Sequence, residues 1–145
     1  MRILTTVISL LILSGSVLAA TPPELNEDHL RERIDKFHRA FKRGQFDVVI
    51  EMYSSKLRGG SIASPQEREK LKNEWQIFIK QEKPIFTIKS LDIRGPRAIV
   101  KVNASIQLPD GSRESGDTYD LWIFENGNWY FSDGSRTSPE YFPKD

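Results

Sequence analysis

The sequence predicts an α+β domain, in which three N-terminal helices pack on a curved, mainly antiparallel sheet of four to six strands. Before Lys83, apolar residues recur every three or four positions, which is the period of a helix. From Lys83 onward, apolar and polar residues alternate, which is the period of a strand. Asp110-Gly111 and Asn126-Gly127 are typical of hairpin turns, so the strands are expected to be neighbours.

The segment from Met1 to Ala20 has the three parts of a secretory signal peptide: an early cation, an apolar run and small residues at its end. Cleavage after Ala19 and cleavage after Ala20 both fit. The alternative is an uncleaved membrane anchor, but the apolar run from Ile3 to Leu13 is short for the roughly 20 residues that a spanning helix needs. We therefore expect an exported protein, periplasmic or secreted, without a membrane span after cleavage.

Charge and cysteine content narrow the function classes. The chain has 21 Lys and Arg residues and 20 Asp and Glu residues, and loss of Arg2 with the signal peptide leaves them equal. That balance argues against a nucleic-acid partner, which would require a basic surface. The chain has no cysteine, so its stability has to come from an apolar core without disulfides. No metal-ligand spacing or phosphate-binding loop occurs, and neither a metal nor a cofactor is expected.

The helical part follows a short lead-in, 21–25. Asn26 is a suitable N-cap for the first helix, whose apolar stripe ends before the stop signal Gly44. A shorter second helix follows at once, and 54–61 is expected to be a loop. Ser64-Pro65-Gln66-Glu67 predicts the start of the third helix, because a serine cap, a proline and a glutamate form a capping box there.

Strands are predicted at 85–93, 97–108, 112–124 and 128–133. The folded domain is therefore expected to span 26–134, and 135–145 to be a loosely held tail. His29 and His38 lie nine residues apart on the first helix and cannot share a metal ion.

Three segments resemble the nuclear transport factor 2-like (NTF2-like), or SnoaL-like, superfamily. Residues 34–53 resemble its first two helices joined at a glycine, and the charged helix with Trp75 resembles its third. Residues 121–133 resemble its closing hairpin, an apolar strand followed by a glycine turn and a tryptophan strand. The resemblance implies a cone-shaped, cystatin-like fold that often dimerises through its sheet. It leaves function open, because that superfamily includes isomerases, dehydratases, cyclases and non-catalytic binding domains.

Two-residue turns at both hairpin signals would place most aromatic strand residues on one sheet face. Such turns pair Phe124 with Trp129, Asp120 with both Asp133 and Lys101, and Trp122 with Phe131. That face would carry the following residues: Ile99, Lys101, Asp120, Trp122, Phe124, Trp129, Phe131 and Asp133. The opposite face, with Ala98 and Ala104, is also apolar, so each face is expected to be covered, one by the helices and one by a ligand or a second subunit. A one-residue bulge would exchange the faces.

The candidate catalytic residues are Asp120, Asp133 and Tyr53. Carboxylates beside aromatic rings can have perturbed pKa values and act as acid and base. The resemblance adds that isomerases of the superfamily combine a carboxylate base with a tyrosine and a protonated aspartate. The structural alternative is a salt bridge of Asp120 with Lys101 at the margin of the sheet.

Two functions follow from the sequence. The first is an exported, non-catalytic binding or assembly module, which holds a small apolar ligand between sheet and helices and forms a homodimer through the sheet. Small side chains at Ala98 and Ala104 would leave room for that ligand. The second is a small cofactor-free enzyme of the isomerase or dehydratase type, using the pocket carboxylates and Tyr53.

Overall fold

Helices precede strands in the computed structural model, which describes residues 25–144. The predicted signal peptide and most of the lead-in lie outside these residues. The helices are α1 (Glu27–Lys42), α2 (Phe46–Glu51), α3 (Ser55–Arg58) and α4 (Pro65–Glu82). Asn26 caps α1 by accepting a hydrogen bond from the backbone N–H of His29 at 2.7 Å. The predicted capping box is present at the start of α4, whereas the single-turn helix α3 lies in a segment predicted as loop.

Four strands form one antiparallel sheet in the order β1-β2-β3-β4, which confirms the predicted α+β fold. They are β1 (Ile85–Arg94), β2 (Arg97–Gln107), β3 (Arg113–Glu125) and β4 (Asn128–Arg136). No helix within 25–144 is long and apolar enough to cross a membrane.

The β3–β4 hairpin has the predicted two-residue turn. Asn126 and Gly127 have φ angles of 51° and 78°, the left-handed conformations that such a turn requires. Phe124 consequently pairs with Trp129, and Trp122 pairs with Phe131, as predicted.

The β2–β3 hairpin differs from the prediction by one residue. Leu108 donates a backbone hydrogen bond to Ser112 at 2.8 Å, which leaves a three-residue loop ending at Gly111, with φ 85°. A two-residue loop would have required Pro109 inside the ladder, where it has no N–H to donate. Lys101 therefore faces Tyr119, and not Asp120.

A second irregularity separates the two predicted carboxylates. The β3–β4 register shifts on both sides of Leu121, which pairs with Asp133. Asp120 and Asp133 are therefore not cross-strand partners, because a bulge turns neighbouring side chains to different faces.

These registers give the sheet an inner face, toward the helices, and an outer face. The inner face carries fully buried residues that pack against α1, namely Ala98, Val100, Trp122 and Trp129. Phe124 and Phe131 are partly buried against the same core. Ile99 and Lys101 alternate with the buried residues of β2 and so lie on the outer face. The predicted grouping of Ile99 and Lys101 with Trp122 and Phe131 on one face is therefore wrong.

The two edges of the sheet are protected differently. At β4, Phe131 accepts a hydrogen bond from Ser54 N at 2.7 Å and donates one to Met52 O at 2.9 Å, so the segment after α2 covers that edge. At β1, the register shifts between Ile88 and Ser90, which leaves Lys89 exposed at a bulge.

The residues after β4 do not form the loose tail that the sequence predicted. β4 itself continues to Arg136, and residues 137–144, here called the closing segment, contain a 3₁₀ turn at Pro139–Tyr141. Phe142 is only 4% exposed. Pro143 accepts a hydrogen bond from the Arg97 guanidinium, which fastens the closing segment to the outer face.

Candidate functional site

An open cavity of about 690 Å³, here called the groove, lies where α3 and α4 meet the end of β4. Its size falls within the roughly 300–1,000 Å³ that is usual for small-molecule sites. Its apolar lining consists of Tyr53, Leu57, Ile62, Leu71 and Phe131. Its charged lining consists of Lys56, Glu67, Lys70, Glu74, Asp133 and Arg136. The groove therefore has an apolar floor and a rim of positively and negatively charged side chains.

Tyr53 lies just after α2 and forms part of that floor. Its ring is 5.1 Å from that of Phe131 and 6.0 Å from that of Trp75, measured between centroids. Burial raises the pKa of Tyr53, and the negative charge of Asp120 raises it further. The phenol therefore stays neutral at physiological pH and is suited to donate a hydrogen bond.

Asp120 lies behind the groove. Its Oδ1 accepts a hydrogen bond from the backbone N–H of Ser135 at 3.0 Å, and only 8% of the residue is exposed. Burial raises the pKa of Asp120 to about 6, the Ser135 hydrogen bond opposes that rise, and the charge of Asp133 adds to it. A Cβ on Gly134 would lie 2.7 Å from Oδ1, so the backbone of β4 closes tightly over this carboxylate.

Asp133 lines the groove, but its carboxylate is already engaged. Oδ2 accepts a hydrogen bond from the Arg136 guanidinium at 2.8 Å, and Oδ1 accepts one from Gly134 N at 2.8 Å. Tyr53 and Asp133 therefore share the groove, while Asp120 reaches it only electrostatically. Within 25–144, no hydrogen bond joins any two of these three side chains.

The remaining predicted residues lie elsewhere. Lys101 pairs with Asp117 at 3.3 Å on the outer face, so the predicted salt bridge with Asp120 is wrong. Phe37 stacks on Phe131 at 5.1 Å and meets Trp122 edge-on at 5.4 Å, deep between sheet and helices. Aromatic rings thus fill the space between sheet and helices, and the open groove lies at its margin, beside the end of β4.

The surroundings of His38 indicate a structural role for this side chain. Its ring stacks on Phe86 with 4.9 Å between centroids, and burial lowers its pKa to about 4, with a smaller opposing effect of Asp35. Among residues 25–144, no three His, Cys, Asp or Glu side chains are grouped closely enough to hold a metal ion.

Sequence reasoning missed the helical wall of the groove. Within the charged run from Glu67 to Lys72, the residues Glu67, Lys70 and Leu71 line the cavity. A signal was present: Leu71 is apolar within that charged run, and it takes no part in the core cluster.

Several solved structures of low sequence identity share the fold of this chain. A SEC-C motif containing protein from Rhodopseudomonas palustris matches with a TM-score of 0.56 and 17% identity, over 73% of this chain and 77% of that chain. A Streptomyces avermitilis protein of the NTF2-like family, described as a candidate dehydratase, matches with a TM-score of 0.53 and 13% identity. The match covers 80% of this chain and 99% of that chain.

A candidate calcium/calmodulin dependent protein kinase II association domain from Xanthomonas campestris matches with a TM-score of 0.53 and 17% identity, over 83% of this chain and 94% of that chain. The chain therefore has the NTF2-like, or SnoaL-like, fold, and the predicted resemblance is confirmed at the level of the fold. No protein-family model and no curated protein matches the sequence.

Proposed function

We propose that this protein is an exported, non-catalytic binding module, which holds a small, mainly apolar ligand in the groove. One observation carries the proposal: the groove combines an aromatic and aliphatic floor with the neutral phenol of Tyr53. Ligand sites are typically apolar cavities with a few polar groups that fix orientation. The size of the groove and its position between β4 and the helices support the same reading.

The state of the carboxylates favours binding over catalysis. Acid–base catalysis by a carboxylate requires that this group lies within hydrogen-bond reach of the substrate. Asp133 is held by Arg136 and Gly134, and Asp120 is covered by the backbone of Gly134 and Ser135.

Export and homodimerisation are part of the proposal. The N-terminal pattern of Met1 to Ala20 supports export, and mass spectrometry of protein recovered from the host should show loss of 19 or 20 residues. The closing segment covers part of the outer face. A dimer through the sheet would therefore use the remaining part, around the half-buried residues Ile123 and Tyr130. Analytical ultracentrifugation should then give twice the mass of the mature chain.

Ligand binding is tested with a neutral fluorescent probe, N-phenylnaphthylamine, and with two substitutions on one helix. Leu71→Glu places a charge in the groove, whereas Ile77→Glu changes a residue of α4 that is 55% exposed. We expect Leu71→Glu to weaken probe binding at least tenfold and Ile77→Glu to leave it unchanged. Equal binding by both variants would remove the groove as the site.

Native mass spectrometry of protein purified from its own host tests whether a natural ligand is bound. A co-purifying small molecule that is lost in Leu71→Glu but retained in Ile77→Glu would support the binding function. A protein that arrives empty in both backgrounds would argue against it.

A second candidate function is acid–base catalysis, favoured by the raised pKa of Asp120 beside the neutral phenol of Tyr53. The test is conversion of the co-purified molecule, followed by mass spectrometry. An enzyme predicts a product whose formation is lost in Asp120→Asn and in Tyr53→Phe. A binding module predicts that the molecule is recovered unchanged from the wild type and from both variants.

A further inference from the structure

The outer face of the sheet carries a second cavity, distinct from the groove. Its floor is formed by β1, β2 and β3, and its wall by the closing segment, which contributes Phe142 and Pro143. Its volume is about 560 Å³, again within the range of small-molecule sites. We call it the outer cavity.

The lining of the outer cavity joins apolar and cationic parts. Ile99, Tyr119 and Phe142 supply apolar surface, and Arg94, Arg97 and Lys101 supply positive charge from the floor. Arg97, Ile99 and Lys101 alternate along β2, so they point to one face at intervals of about 7 Å. Among residues 25–144, the lining holds four cations, Lys144 included, and two acids, Asp92 and Glu140.

Two of these cations, Arg94 and Lys101, form ion pairs with protein acids. Arg94 pairs with Asp92 at 2.8 Å and Lys101 pairs with Asp117 at 3.3 Å, and the side chains of both pairs are substantially exposed. Exposed pairs of this kind contribute between about 0 and 1 kcal/mol, so an incoming anion can compete with them. The outer cavity thus has positive charge beside apolar surface, under a wall fastened by Arg97.

We propose that the outer cavity binds an anionic amphiphile: one carboxylate or phosphate at Lys101, with its hydrocarbon part between Ile99, Tyr119 and Phe142. The shared chemistry fits a free fatty acid and an acidic lipid alike. The wall formed by the closing segment favours a single free molecule over a bilayer surface, because it separates the floor from a flat partner. This inference does not depend on ligand binding in the groove.

The test compares laurate with dodecanol, which has the same chain length and no charge, by NMR titration of the backbone amides. We expect laurate to bind at least tenfold more tightly and to shift the amides of Ile99, Lys101 and Phe142. We expect Lys101→Gln to weaken laurate binding about tenfold, because a charge-assisted contact is lost, and to leave dodecanol binding unchanged. Lys36→Gln, on the exposed side of α1, is the matched control for net charge and should bind laurate like the wild type.

Phe142→Ala should weaken both laurate and dodecanol, because it removes the apolar wall. Equal affinity for the two compounds, or shifts confined to Tyr53, Leu71 and Phe131 in the groove, would overturn the proposal. Co-sedimentation with phosphatidylglycerol vesicles distinguishes the two sources of the anion. Vesicle binding without laurate binding would contradict a site for a free molecule. Of these outcomes, only shifts confined to the groove would bear on the proposed function, which the Leu71→Glu experiment tests separately.

Discussion

The two faces of the sheet differ in what they bury. On the inner face, Trp122 and Trp129 are fully buried against the helices, together with Ala98 and Val100. On the outer face, Leu121 is covered, but its neighbours along β2 remain half-exposed and partly charged. The same strands thus form a sealed core on one side and an accessible surface on the other.

The difference separates stability from binding. Burial of aromatic and aliphatic surface on the inner face supplies the main driving force for folding. The outer face contributes less to folding and is therefore free to carry charges and a cavity. Asp120 is the exception, since it is a carboxylate on the sealed side.

The largest expected effect is the loss of a core aromatic. Trp122→Ala should lower the free energy of unfolding by about 3–5 kcal/mol, because it leaves a large void in the inner face. Ile99→Ala, on the outer face of the neighbouring strand, should cost about 1 kcal/mol or less, since half-buried side chains lose little packing. Urea denaturation of both variants measures the difference, and similar losses would show that the outer face is as much a core as the inner.

The next effect concerns two buried titratable groups on the sealed side. The pKa of Asp120 is raised from 3.8 to about 6, so the folded state holds its proton more strongly, and its contribution to stability falls as pH rises from about 4 to 6. The pKa of His38 is lowered from 6.5 to about 4, so its contribution rises with pH over nearly the same range. Each contribution is on the order of 3 kcal/mol and their slopes oppose.

Removing either group should make the effect of the other on the pH dependence of stability measurable. Relative to wild type, Asp120→Asn should give a free energy of unfolding that increases more steeply between pH 4 and 6.5, and His38→Gln should make it decrease. Denaturant titrations at several pH values measure these slopes. Two variants whose slopes change in the same direction would refute the opposing arrangement.

A smaller effect is expected where β4 closes over Asp120. In Gly134→Ala the new Cβ would lie 2.5 Å from Cζ of Phe131 and 2.7 Å from Oδ1 of Asp120, which should lower the free energy of unfolding by about 1–3 kcal/mol. Gly116→Ala, in β3, meets nothing within 4 Å and serves as the control, with no loss of stability expected. Thermal unfolding of both compares them, and equal stability would mean that the backbone there is loose.

The sequence was sufficient to predict the helices other than α3, the four strands and one hairpin turn. Helical spacing, the capping box at Ser64 and the Asn126-Gly127 turn are local signals, and local signals determine local structure. The predicted β2–β3 register was wrong because a glycine after Asp110 suits a two-residue and a three-residue loop equally. Pro109 decides between the two loops. That single residue moved Ile99 and Lys101 to the opposite face from Trp122.

The candidate site was predicted only in part. Tyr53 and Asp133 both line the groove, but the bulge beside Leu121 moves Asp120 out of line, and bulges leave little trace in a single sequence. The closing segment was missed because its prolines suggest irregular chain, while its anchoring depends on Arg97, some 46 residues earlier.

The bulge at Lys89 has a consequence for assembly. With β4 already paired to the Met52–Ser54 backbone and β1 interrupted by an exposed lysine, neither end of the sheet presents a flat row of free amides and carbonyls. Copies of this chain are thereby hindered from joining strand to strand into a continuous ribbon. The proposed dimer would accordingly form by contact between the outer faces of two sheets.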